Sequence, residues 1–198
     1  MRIILFTLIP IVIILAIVVG CSGKFEPDPI DPRIPRYSEE GLNAAGALVN
    51  GGIWRAEKGV SFPKGPSQVL QLARDSAQTQ LRIDGRITDD DTTAFLAVTF
   101  YLNNAAGNLD RINDLRGRTF SLDGTHYADL TDDEYPLEDL PRCRSRSGQL
   151  YVKYLARINT ATDTDYVLSG TFSFTTDEDS CTKYEVTFGR FDYRISGN

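Results

Sequence analysis

The residues able to do chemistry in this chain are few, and their spacing restricts what they can do. There is one histidine, His126, set between Thr125 and Tyr127. A general base or a metal ligand needs partners, and no second histidine or nearby cysteine supplies one. No Gly-x-Ser-x-Gly nucleophile elbow is present, so hydrolysis by a Ser-His-Asp triad is not expected. Carboxylates are plentiful, in Asp89-Asp90-Asp91, Asp132-Asp133-Glu134, Glu138-Asp139 and Asp177-Glu178-Asp179, with Asp129, Asp163 and Asp165 beside them. Two would suffice for a glycosidase, but nothing in their spacing singles out a facing pair. Clustered loop oxygens are what calcium prefers, yet none of the clusters has EF-hand spacing, so the expectation is solvated loop charge with no metal and no cofactor, and calcium (Ca2+) is the alternative.

Three further groups could bind. Arg142, Arg144 and Arg146 alternate around Cys143 and would share one side of an extended segment. They would either hold an anionic sugar or carboxylate, or pair with neighbouring acids. Trp54 and the tyrosines at 101, 127, 135 and 151 offer aromatic faces. Trp54 follows a tight turn and reads either as core or as a sugar-stacking platform. Tyr127 and Tyr135 bound a polar loop and are the stronger ligand-binding candidates. Cys143 and Cys181 read as a disulfide if the chain folds in an oxidising compartment, and otherwise as two buried thiols. Closing that loop would stabilise the fold by about 4 kcal/mol in the chain-entropy argument.

The compartment follows from the start of the chain. Arg2 precedes an uncharged, largely apolar run from Ile3 to Val19, then Gly20 and Cys21. A charge, an apolar segment and a small residue make up a secretory signal. The run also approaches the length of a spanning helix, but Pro10 and the lack of a basic cluster after it argue for cleavage. Val18-Val19-Gly20-Cys21 resembles the lipobox of bacterial lipoproteins. The resemblance implies a signal peptide at residues 1–20 and lipidation of Cys21. Each buried methylene would contribute about 0.8 kcal/mol, so two or three acyl chains hold a protein at a membrane. From Ser22 to Tyr37, Pro27, Pro29, Pro32 and Pro35 alternate with acids, so residues 21–37 read as a tether reaching up to about 50 Å.

Residues 38–198 are long enough for one domain with its own core. The whole chain has 27 acidic against 21 basic residues, a formal charge of −6 and a pI near 4.8. Such a surface does not suit nucleic acid. Apolar residues recur with period two in most segments. Ala47–Val49 and Ile53–Arg55 flank Asn50-Gly51-Gly52, a hairpin turn. Further strands are expected at Val69–Ala73, Leu81–Ile87, Phe95–Leu102, Leu115–Leu122, Tyr151–Ile158, Tyr166–Phe174 and Tyr184–Ile195. Phe95–Leu102 is almost wholly apolar and is expected to be covered on both faces. In the last strand Gly189 shifts the alternation, as a β-bulge would, with Tyr184, Val186 and Phe188 on one face before it. Residues 103–114 allow a short helix. The reading is an all-β antiparallel sandwich or partly closed barrel of about seven to nine strands.

Several of these residues together resemble uncharacterised Bacteroidetes-type surface lipoproteins. The similarity rests on Pro35, Ser38, Gly41, Asn43 and Gly46 with Leu48-Val49-Asn50-Gly51 and Trp54. It continues with Leu115-Arg116-Gly117, Phe120-Ser121-Leu122 and Tyr127, and closes with Ser169 to Phe174 and Gly189-Arg190-Phe191-Asp192. It implies the lipid anchor and an all-β domain, and brings no catalytic or binding residue with it. Those families place acids directly after the lipidated cysteine, whereas here Ser22-Gly23-Lys24-Phe25 come first. The expectation is therefore an outer-membrane lipoprotein on the periplasmic or cell-surface face, without enzymatic activity. It would engage another envelope protein or, alternatively, capture a glycan for a neighbouring transporter.

Overall fold

The computed structural model describes residues 32–56, 60–61, 65–66, 70–88, 93–131, 143–159, 164–176, 181 and 183–197. The lipobox with Cys21, Tyr135, Arg142, Val69 and most of the acid clusters lie outside the described residues.

Period-two patterning yields strands throughout. They are β1 (Ala44–Val49), β2 (Gly52–Ala56), β3 (Val60–Ser61), β4 (Gly65–Pro66), β5 (Leu70–Arg74), β6 (Gln78–Ile83) and β7 (Gly85–Thr88). Then follow β8 (Thr93–Phe95), β9 (Ala97–Asn103), β10 (Arg118–Ser121), β11 (Tyr127–Thr131), β12 (Cys143–Asn159), β13 (Thr164–Thr176) and β14 (Glu185–Gly197). The short helix resolves into one turn of α-helix, α1 (Asn104–Gly107), and a 3-10 turn at Ile112–Leu115. Twelve strands form one antiparallel sheet in the order β5-β6-β9-β11-β12-β13-β14-β1-β2-β7-β8, with β10 also on β12. The sheet curls into a half-barrel.

The strand count exceeds the expected seven to nine for two reasons: Tyr127, expected at the edge of a polar loop, instead opens a further strand, β11, and two expected strands are each split by a bend. The segments around Leu81–Ile87 and Phe95–Leu102 each bend and change partners. β6 pairs with β9, and after Asp84 the same chain continues as β7, which pairs with β2 and β8. Leu96 marks the matching break between β8 and β9, and its N–H donates to the Gly85 carbonyl at 2.9 Å. One bent hairpin thus contributes strands near both ends of the sheet order. Within β9, Ala97, Val98, Thr99 and Phe100 are all buried, as a strand covered on both faces requires.

The core is built on aromatic rings. Phe100 meets Phe172 edge-on at 5.2 Å, and Phe172 lies near Phe174, Phe191 and Trp54 at 6.3 to 6.5 Å. Trp54 is fully buried and donates its indole N–H to the Leu96 carbonyl at 2.8 Å. Phe172 covers Gly189 on the neighbouring strand, a site with no room for a Cβ. The bulge expected at Gly189 is present, with both ladders of β14 slipping there. It differs in one respect: Phe188 takes the positive φ of 54° and turns outward, 42% exposed, instead of continuing the inner face of Val186. The inserted residue leaves Gly189, not Phe188, beneath the Phe172 ring.

Cys143 and Cys181 form a disulfide with Cα atoms 5.4 Å apart, tying the start of β12 to the β13–β14 connection. The end of the expected tether lies on the sheet. Ile34 is buried, Pro35 packs on Gly46, and Arg55 Nε donates to the Arg33 carbonyl at 2.8 Å. The Tyr37 hydroxyl lies 3.3 Å from Ser169 Oγ, and Lys153 Nζ approaches Glu39 to 3.2 Å. The strap ends at buried Asp192, whose carboxylate accepts from the Ser38 hydroxyl and from the Gly41 and Leu42 amides, the latter at 3.0 Å.

Candidate functional site

The candidate site is the part of β9, β11 and β12 turned away from the core around Tyr101, Tyr127 and Arg144; further along the same side Ala97, Thr99, Asp129 and Thr131 are buried. Val98, Phe100 and Leu102 on β9, with Ala128 and Leu130 on β11, belong to the core. Alternation therefore turns Thr99, Tyr101, Tyr127 and Asp129 to the opposite side. Register aligns them into two rows across the strands. Gln80 on β6 faces Tyr101, which faces Tyr127. Arg82 faces Thr99, which faces Asp129, which faces Arg144 on β12.

In the first row Tyr101 and Tyr127 stack at 4.7 Å with their planes 17° apart. Arg144 folds over Tyr127 with its Cζ 3.9 Å from the ring centre. Tyr127 is thus held between a second ring and a guanidinium, a stacking and cation–π arrangement worth about 1 kcal/mol per contact. Behind it Asp129 is buried, and Arg144 Nε stands 3.6 Å from its Oδ1. The Arg144 side chain is 55% exposed, so water screens that attraction and the pair orients the arginine more than it stabilises the fold. Arg146, two residues on, is exposed at the point where the β12–β13 ladder slips by one residue.

Of the expected site residues, Tyr127 and Arg144 come together, with Tyr101 beside them. Tyr135 and Arg142 lie outside the described residues. Of the two readings of Trp54 the core one holds and the ligand-binding one does not: the ring is fully enclosed with its one polar atom bonded to Leu96, so no sugar can stack on it. Tyr151 sits on β12 opposite Thr119 and Thr171, away from this row. The joining of Tyr101, Asp129 and Arg144 across three strands was not visible beforehand, although residues 99, 101, 127 and 129 already carry polar groups alternating with apolar ones.

His126 has a structural place. Its Nδ1 accepts the Asn103 amide at 3.0 Å and its ring edge meets Phe120 at 5.2 Å. Burial pushes its pKa below the ordinary histidine value, against a smaller upward pull from Asp123. Beyond it, a polar cleft of about 410 Å³ is lined by Arg74, Asp75, Asn104, Asn108, Leu109 and Asp110. Asn104 is consumed there, accepting from Thr79 Oγ1 at 2.7 Å and donating to the Asp75 carbonyl at 2.8 Å. Among the described residues no group of three His, Cys, Asp or Glu side chains is arranged to hold a metal.

No protein-family description, curated protein or solved structure matches this chain.

Proposed function

We propose that this chain is a lipid-anchored protein of the cell envelope that works by binding another envelope protein, without catalysis. The lipobox-like Val18-Val19-Gly20-Cys21 supports the anchor, and the resemblance to uncharacterised surface lipoproteins agrees with it. The Cys143–Cys181 disulfide suits an oxidising compartment outside the cytosol.

The observation that carries the binding reading is the Tyr101–Tyr127–Arg144 stack. Tyrosine and arginine are the side chains that most often dominate protein interfaces, and rigid ones lose little entropy on docking. Here each holds the other in place before any partner arrives. A sugar-stacking role is less well supported, because the two faces of Tyr127 are taken by Tyr101 and Arg144.

The test is a photo-crosslinking residue at Gln80, at the end of the tyrosine row, in the membrane-anchored protein. A discrete adduct with an envelope protein, lost in Tyr127→Ala, supports the reading. Absence of any such adduct, with the protein correctly anchored, removes it.

A further inference from the structure

The geometry points to an acidic protein segment as the partner of this face: carboxylates of an extended chain seated on Arg144 and Arg146. This deepens the protein-binding reading above and rests on it.

Among the described residues, the charge of the face is one-sided once its internal pairs are set aside. Asp84 is engaged by Arg82 Nε at 2.8 Å, and Asp129 is buried beneath Arg144. Among the described charged residues of this face, what reaches solvent is guanidinium. Asp129 lies on the Nε side of Arg144, and the terminal nitrogens have no hydrogen-bond partner among the described residues. Arg146 has no ion-pair partner among the described residues and is exposed. These two cations sit on a chain whose net charge is −6, so the face runs against the average of its own surface. A guanidinium packed over a tyrosine ring keeps nitrogens available for two-point capture of a carboxylate. The two arginines are exposed on either side of buried Ser145, so both are presented to the solvent side of β12, where the ladder slips at Arg146.

Other anions fit less well. An anionic bilayer gains about 1 kcal/mol per basic residue near its surface, too little from two arginines on an acidic protein. Nucleic acid needs several neutralised phosphates. An acidic sugar would leave the ring-stacking contacts unmade, because Tyr127 has no open face.

The full-length protein in detergent micelles is titrated into fluorescein-labelled poly-L-glutamate and followed by anisotropy. We expect saturable, salt-sensitive binding, weakened about tenfold by Arg144→Gln and again by Arg146→Gln, as loss of one charge-assisted bond implies. Arg144→Lys keeps the charge and loses the planar stack, so it falls between. Arg116→Gln, at another exposed arginine, leaves binding unchanged. Unaltered emission from buried Trp54 checks that each variant is folded.

No binding, or equal binding by the double variant, overturns the inference. So does equal arginine-dependent binding to polygalacturonate or to vesicles rich in phosphatidylglycerol. If the Gln80 adduct forms in membranes while poly-L-glutamate fails, the protein-binding reading stands and the acidic-segment inference alone is lost. If both fail, the binding face itself is lost.

Discussion

The indole of Trp54 lies over Gly85 so closely that a Cβ there would sit 2.5 Å from the ring. Gly85 is where the chain leaves β6 and starts β7, and Leu96, which accepts the indole N–H, is the matching point between β8 and β9. The chain's one tryptophan therefore fills the bend that lets a single hairpin serve both ends of the sheet. Gly85→Ala should cost about 1–3 kcal/mol, since a methyl must displace a fully enclosed ring. Trp54→Phe should cost at least as much, because it opens a cavity and leaves the Leu96 carbonyl unpaired. Urea unfolding followed by circular dichroism reads both, and a Gly85→Ala protein as stable as the parent would refute the packing described.

This bend also explains what the sequence conceals. Leu81, Ile83, Gly85 and Ile87 alternate without interruption, so they read as one strand. Nothing in that alternation announces a change of partner at Asp84, because a bend alters which strand is the neighbour and leaves the period intact. The hairpin at Asn50-Gly51 was legible for the opposite reason: a two-residue turn demands positive φ, and both residues adopt it. The binding face was legible only in part: Tyr127 stood out as a binding residue but read as the edge of a polar loop, not as the start of β11. Period two places Tyr127 and Asp129 on one side of β11, but only register aligns them with Tyr101 and Arg144, and register is a property of strands far apart in sequence.

Asp192 holds the strap that joins the tether to the sheet. Two backbone amides and the Ser38 hydroxyl converge on its buried carboxylate. Asp192→Asn turns one acceptor oxygen into a donor facing donors, a loss of about 2 kcal/mol at this joint. The expected result is faster proteolytic cleavage between residues 32 and 43, with the strand signal in circular dichroism largely kept. Cleavage at the parent rate would mean that the strap is held by Ile34 and Tyr37 instead.

His126 sets a pH dependence whose direction follows from its surroundings. Burial favours the neutral ring, and neutral Nδ1 is what accepts the Asn103 amide. Protonation would set a donor against a donor at the start of α1. The folded pKa lies below the unfolded value of about 6.5, so the full contribution is present above that pH. Stability then falls as the pH drops through the interval between the two values and levels off below the folded pKa. Because the chain has one histidine, a single imidazole resonance reports the titration. Its midpoint should lie under the unfolded value, and His126→Phe should flatten the stability profile just below that value. A midpoint at or above the unfolded value would contradict the buried acceptor role.

The disulfide joins residues 38 apart in sequence and pins the β13–β14 connection onto the first residue of β12, next to Arg144. Its removal acts in two places. Opening the loop restores entropy to the unfolded chain, so Cys143→Ser with Cys181→Ser should lower stability by about 2–4 kcal/mol. It also frees the end of β12 that carries Arg144, which pairs with Asp129 and Leu130 of β11. Loss of poly-L-glutamate binding should then exceed what the fall in stability alone explains at temperatures where the variant remains folded. Measuring melting and binding on the same oxidised, reduced and double-serine samples separates the two effects. If reduction lowers the melting temperature and binding is unchanged, the bridge supports the fold but does not position the arginine.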